Sequence, residues 1–446
     1  MSKPRFSYSS DDLKQIARDV IGHALQKGAS ACEAEVSEGY GQGVTVRKGA
    51  VETIEYNRDK GVGVTVYLGQ QKGFASTSDL SPQAVRDTVD KALSIARFTA
   101  ADPCAGLPDA ERLARKSRDL DLFHPWDLTV ESAIEIARAT EAAAFAVDPR
   151  ITNSEGASVS LQHNHFIAAN SLGFMGGYPT SRHYVSCSVI AGRGNGMQRD
   201  DWYSSSRDAG ELASGRAVGR YAAERALSRL QARQIGTQTV PVLFEAPLAT
   251  SLIGSFVSAA SGGSLYRKAS FLQDSLGKQV FSGIVNLAER PHVKKGLGSA
   301  PFDDEGVITA EREVVKKGVL QGYFLSTYSS RKLGMQTTGN AGGNHNLVLE
   351  SGRHNLRGLL REMGTGLLVT ELIGQGINMV TGDYSRGAFG YWVERGEIQY
   401  PVQEVTIAGN LADMFKGVVA VGNDVVVRGA RQSGSILIDQ MTVAGN

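Results

Sequence analysis

Three short patterns in this 446-residue sequence carry side chains able to do chemistry. His163-Asn164-His165 would place two imidazoles on one face of a strand, because residues two apart point the same way; that is half of a metal site. No spacing supplies a third ligand, and the plainer reading is polar residues on a solvated strand face. Ser329-Ser330-Arg331-Lys332 fits SxxK, in which a lysine one helical turn away could activate a serine. The companion KTG is missing, so the plainer reading is a helix N-terminus with an exposed lysine. Asp303-Asp304-Glu305-Gly306 gathers carboxylates without the alternate spacing of a calcium loop, and reads as a solvated turn at a hairpin end.

Other signatures are absent. Gly277-Lys278 is followed by Gln279, so there is no P-loop. Gly192 to Gly196 reads as a turn, since Met197 stands where GxGxxG needs its last glycine. Two glycine-rich stretches remain: Thr337 to Asn346, and Gly374 to Gly387. Both mix glycine with Asn, His, Tyr and Arg, a composition suited to loops that approach another chain or a peptide; ordinary tight turns are the alternative.

The elements that must position these groups form an α+β pattern: an N-terminal mixed region of hairpins and helices, then a glycine-rich, mainly β domain. Domains are expected at 1–100, 118–232 and 235–446. A first helix runs from Leu13 to Leu25, with Ser10 or Asp11 as its cap and Gly28 as its stop. Alternating segments follow at Cys32–Val36, Val44–Val46 and Val62–Leu68, with Gly49, Gly61, Gly69 and Gly73 read as turns. Ser81-Pro82 opens a second helix. Residues 99–127 read as a connector, followed by helices over about 129–147 and 208–230 around a strand-rich stretch. Val240 to Phe244 is a strand, and Pro247 to Ala260 an apolar helix.

Glycine reaches 52 residues, of which 31 fall in residues 224–446. Hydrophobics at 41 % and charged residues at 21 % are ordinary globular values, so this excess does not signal disorder. A net charge of +1 with no basic tail speaks against direct nucleic-acid binding. Three scattered cysteines form neither a disulfide framework nor a zinc ribbon. The residues from Met1 onward show no apolar leader, and no run approaches a membrane span, so a cytoplasmic location is expected.

Six segments carry a family resemblance: Ser261-Gly262-Gly263-Ser264-Leu265-Tyr266-Arg267-Lys268, Lys295 through Asp303, Thr338-Gly339-Asn340-Ala341-Gly342-Gly343, Met363-Gly364-Thr365-Gly366-Leu367, Gly382-Asp383-Tyr384-Ser385-Arg386-Gly387 and Val421-Gly422-Asn423-Asp424. With these, nearly the whole chain resembles the TldE (PmbA) branch of the TldD/TldE family, historically labelled modulators of DNA gyrase. The resemblance implies a zinc metalloprotease of two related subunits that processes small or unfolded peptides, such as microcin precursors and an antitoxin. It implies that TldD holds zinc with an HExxxH helix and a cysteine near its C-terminus.

This sequence departs from that pattern. None of its eight histidines precedes glutamate, the matching helix Pro247 to Ala260 has no histidine or carboxylate, and no cysteine follows Cys187. The expectation is a non-catalytic subunit without a cofactor of its own, paired with a zinc-bearing TldD-like chain, with self-association of the isolated chain left open. Asn340, Asn344, His345, Asp383, Tyr384 and Arg386 are the candidates for lining the partner or peptide path. The rivals are a self-sufficient peptidase, using Ser329 and Lys332 or a site around His163 and His165, and a regulatory binding protein acting on gyrase.

Overall fold

The computed structural model describes residues 6–116 and 118–445; Met1 to Arg5, read above for a leader, lie outside the described residues. Helix α1 (Ser10–Gln26) leads into a meander of β1 (Ala31–Arg47), β2 (Ala50–Leu68) and β3 (Gln71–Thr77), then α2 (Pro82–Phe98). After the connector come α3 (Val130–Phe145), β4 (Ile151–Asn170), β5 (Met175–Gly176), β6 (Pro179–Ala191), β7 (Gln198–Ser206) and α4 (Gly215–Ser228). The strands on either side of the connector join one antiparallel sheet in the order β3-β2-β1-β4-β6-β7, with β5 beside β4.

Local chemistry sets the helix ends, and in two places moves them. Ser9, not Ser10 or Asp11, caps α1: its hydroxyl accepts from the Asp12 N–H while Asp12 accepts from Ser9, a reciprocal capping box. The helix expected from residue 208 begins only at Gly215, because the Asp208 side chain ties down Gly210 in a short 3₁₀ turn and Ser214 caps α4 afresh. Gly49 and Gly69 do make turns at positive φ, but Gly61 and Gly73 lie inside β2 and β3. At Gly73 a side chain would run into the α2 backbone, with a Cβ only 2.0 Å from the Ala92 carbonyl oxygen.

One face of the sheet is covered by helices. Cys32, Ala34, Val36, Val64 and Val66 pack under α1 and α2, while Val44, Val46, Val159, Leu161 and Val185 pack under α3 and α4. His163 and His165 sit on that same face, at the seam between the two helix pairs. Both are buried, so the solvated-face expectation fails: His165 reaches Glu38 at 3.3 Å and stacks on Phe6, and His163 lies edge-on to His183 and Phe123. Glu38 also accepts the Ser7 and Tyr8 N–H groups, closing the seam with polar groups that satisfy one another.

The C-terminal part is built on β8 (Gln238–Phe244), α5 (Ala246–Ala259), α6 (Gly262–Tyr266), β9 (Leu287–Glu289), β10 (Arg312–Lys316), β11 (Val319–Leu320), α7 (Thr327–Lys332) and β12 (Leu347–Leu349). It continues with α8 (Leu356–Met363), β13 (Gly366–Ile373), β14 (Asp383–Glu394), β15 (Glu397–Asn410), α9 (Leu411–Lys416), β16 (Val418–Val421), β17 (Arg431–Gln432) and β18 (Ile436–Ala444). The order β15-β14-β13-β8-β18-β16, with an added β15–β18 pairing, curls one sheet back on itself. A second sheet runs β11-β10-β9-β12-β17, and the largest apolar core lies between them around Phe244, Phe256, Leu287 and Leu325. Within the stretch from Val307 to Leu320, β10 and β11 pair at just two positions, Val315 with Leu320 and Lys316 with Val319, and β10 also pairs with β9 through a bulge.

Candidate functional site

The sheet face opposite the helices is where the molecule opens. Because side chains alternate, Glu33, Glu35 and Ser37 of β1 point away from the α1–α2 core. Register places Asn170 and Ala168 of β4 beside Glu33 and Glu35, and Thr65 and Gly63 of β2 on their other flank. Ser76 and Phe74 of β3 follow in line. Gly61 and Gly63 carry no side chains, so the floor is low there: a Cβ at Gly63 would meet the Phe74 ring at 3.5 Å.

The roof comes from the C-terminal part. Asp304 and Glu305 overhang this floor and close a cavity of about 500 Å³; a second lobe of about 150 Å³ shares Glu35, Ala168 and Asp304 with it. Asp303 holds the roof in shape and is buried, contrary to the solvated turn expected. Its carboxylate accepts the Glu305, Val307 and Ala341 N–H groups, yet burial still pushes its pKa up to about 7. Gly342 adopts a φ of +90° and lies so close to Asp304 that a Cβ would sit 2.2 Å from its carboxylate. Glycine here permits both the left-handed backbone and the close approach.

The six candidate lining residues separate into two places. Asn344 and His345 line the smaller lobe. Asn340 is a buried strut behind it: its amide donates to Glu289 and to the Gly343 carbonyl and accepts from Arg312 and Thr338. The His345 ring donates to the Gly339 carbonyl at 2.8 Å, and its backbone N–H to Glu289. Asp383, Tyr384 and Arg386 lie on β14 in the curled sheet and contribute nothing to either lobe. Asp383 is exposed and engages Thr381 and Asn410, while Tyr384 is buried, its hydroxyl pushed up to about 12 by desolvation.

Electrostatically the cleft is one-sided. Burial raises Glu33 to about 7, outweighing the attraction of Lys72. Glu35 and Asp304, exposed on the cleft, are raised by the same partial desolvation, and Asp304 adds repulsion at Glu35. Glu33 and Glu35 escaped the sequence reading: they alternate with Cys32, Ala34 and Val36 like any half-exposed strand, and the register with Asn170 is what brings them to the cleft.

The other candidate chemistries resolve into structure. Lys332 turns from Ser329 to Asp102, with its ammonium 3.0 Å from that carboxylate, and the Ser329 hydroxyl caps α7 with Ser326. The serine and lysine of the SxxK pattern therefore do not meet. Zinc does not fit the helix that the resemblance assigns to HExxxH. The polar side chains of α5 are Thr250, Ser251, Ser255 and Ser258; Thr250, Ser255 and Ser258 bond back to its own carbonyls. Among the described residues no group of three or more His, Cys, Asp or Glu is arranged to hold a metal, and no helix is long and apolar enough to cross a membrane.

Models of the PmbA/TldA metallopeptidase match residues 32–96 as domain 1, 123–230 as the central domain and 237–445 as the C-terminal domain. The chain is 47 % identical over 97 % of its length to Metalloprotease PmbA of Escherichia coli O157:H7, covering 97 % of that protein. It is 48 % identical to the Metalloprotease PmbA homolog of Haemophilus influenzae, over 98 % of this chain and 96 % of that one. A crystal structure from Bacteroides thetaiotaomicron, provisionally described as a modulator of DNA gyrase, superposes with a TM-score of 0.93 at 27 % identity, over 98 % of this chain and all of the other. With the glycine loops, the curled sheet and the end-to-end match in agreement, the chain belongs to the PmbA/TldD metallopeptidase family.

Proposed function

We propose that this chain is the HExxxH-lacking subunit of a two-subunit TldD/TldE-type metalloprotease acting on small or unfolded peptides in the cytoplasm. The observation that carries this reading is the contrast between a full-length metallopeptidase fold and an α5 helix with no metal-ligating side chain. Zinc belongs to the TldD-like partner, where it supplies Lewis-acid activation of a water molecule. This chain contributes the walls: a glycine-rich roof over the open face of the N-terminal sheet, whose exposed strand edges are where an extended peptide could pair. Substrate held as an added strand would be read through its main chain, with loose sequence preference.

The test is co-expression with an HExxxH-bearing TldD-like chain, followed by copurification and cleavage of an unfolded peptide. A stable heterocomplex whose cleavage is lost on chelation, with the isolated chain inert, is the expected outcome. Cleavage by the isolated chain would replace this reading with a self-sufficient peptidase. Capture of gyrase in preference to the TldD-like chain would replace it with a regulatory binding protein.

A further inference from the structure

Glu33 and Glu35 on the floor of the larger lobe, and Asp304 and Glu305 on its roof, face one cavity whose walls hold a single cation, Lys60. None of the four carboxylates forms an ion pair among the described residues. Glu33 has the Tyr67 hydroxyl at 3.4 Å, and Glu305 accepts the Thr327 N–H at the start of α7. Gathering four acidic groups in a partly desolvated cleft is unfavourable unless something cationic relieves it.

A second observation is independent of charge. Asn170 lines the same cavity, is only 4 % exposed, and has its Oδ1 fixed by the Leu172 and Phe174 N–H groups. Those two donors settle which way the amide faces, and its Nδ2 is left without an acceptor. A buried donor of this kind is costly unless a ligand supplies the acceptor. A ligand that meets both demands brings a cation for the carboxylates and a hydrogen-bond acceptor, such as a carbonyl, for Asn170. Phe74 and Phe174 add apolar wall for a short aliphatic stem. A bare divalent ion satisfies neither the amide donor nor the rings, and an anion meets four carboxylates.

We infer that this cleft is a binding site for a protonated amine on a peptide, the ammonium lying between Glu35 and Asp304 and an adjacent carbonyl accepting from Asn170. The inference rests on the peptide-processing reading above and deepens it: this subunit would grip the substrate by a positive group while the partner cuts. The α-amine and a lysine side chain share this chemistry.

Fluorescence anisotropy on the full chain separates them. Four C-terminally labelled, unstructured heptapeptides serve as probes: free amine with lysine, free amine without basic residues, acetylated with lysine, and acetylated neutral. The acetylated neutral peptide should bind roughly tenfold or more weakly than the first, the loss expected for one charge-assisted contact. Whichever singly charged peptide keeps the affinity names the source of the amine. The E35Q/D304N double variant, with its fold checked by far-ultraviolet circular dichroism, should erase the preference for charged peptides, and Asn170→Ala should weaken the charged peptides alone. Charge-independent binding, or an unchanged double variant, overturns the inference while cleavage by the heterocomplex keeps the parent reading alive. A thermal shift with magnesium or calcium alone that the double variant abolishes also overturns it, in favour of a metal site. Absence of zinc-dependent cleavage in the heterocomplex sinks the parent reading instead.

Discussion

Two places where the N-terminal sheet unit meets the C-terminal part gather charge, and they treat it in opposite ways. Under α4, Arg225 reaches Asp200 at 3.1 Å and Glu245 at 2.9 Å, and Arg229 reaches Asp200 at 3.3 Å and also Glu371. Both guanidiniums lie over aromatic rings, Arg225 on Trp202 and Arg229 on Phe389. Across the sheet, Glu33, Glu35, Asp304 and Glu305 share a comparable boundary with one cation in the wall. The first set is closed by its own charges and holds the two parts together. The second is left open, and an open charge cluster at a boundary between structural units is a place for something else to bind.

The largest effect should come from opening the closed set. Burial opposes the Arg225 charge, but Glu245 and Asp200 outweigh it and hold the guanidinium protonated. Arg225→Ala would strand the buried Glu245 carboxylate and leave Asp200 with Arg229 alone, a change that costs about 3–5 kcal/mol. Urea denaturation measures it. A loss below about 1 kcal/mol would mean that the network is not closed and that the contrast between the two clusters is false.

The cleft should respond with the opposite sign. Glu33 has its folded-state pKa raised from 4.5 to about 7, by burial first and by Glu305 in addition. The folded chain therefore keeps a proton that the unfolded chain releases, and stability falls as pH rises across that interval. Glu33→Gln removes the penalty: no gain is expected near pH 4, and on the order of 2 kcal/mol near pH 8, a figure set below the full shift because water reaches the cleft. Lys72, whose charge favours the ionised Glu33, limits the gain. Denaturation midpoints across pH 4 to 8 decide it. A variant less stable at pH 8 would show that Glu33 is satisfied within the protein.

The difference between the clusters also explains what could be read from the sequence. Helix α2 was legible because its signals are local: Ser81 caps the start and Pro82 sits in the first turn. The glycine loop at residues 339–343 was legible as something special, since its composition suits close approach. The cleft was not, because it depends on pairing across long separations: Glu33 sits beside Asn170, and Asp304 arrives from a loop far along the chain. The same long-range pairing hid the burial of His163 and His165, whose surroundings come from Phe6, Glu38 and Phe123. Asn340, expected among the lining residues, is instead a buried strut bonded to Glu289 and Arg312, partners that lie 51 and 28 residues away in sequence.

The smallest effect tests whether the closed network is graded by burial. Arg229 is shared between Asp200, whose side chain is 10 % exposed, and Glu371 at the rim, 37 % exposed. Charge interactions weaken as water surrounds either partner, and salt screens the outer pair while reaching the inner pair far less. Glu371→Gln should therefore cost about 0.5 kcal/mol, against several for Arg225→Ala, and the cost should vanish at about 1 M NaCl. Because Arg229 keeps Asp200 and the Phe389 ring, no buried charge is stranded. A salt-independent loss above roughly 2 kcal/mol would place Glu371 inside the desolvated network, and the boundary between closed core and wet rim would have to be redrawn.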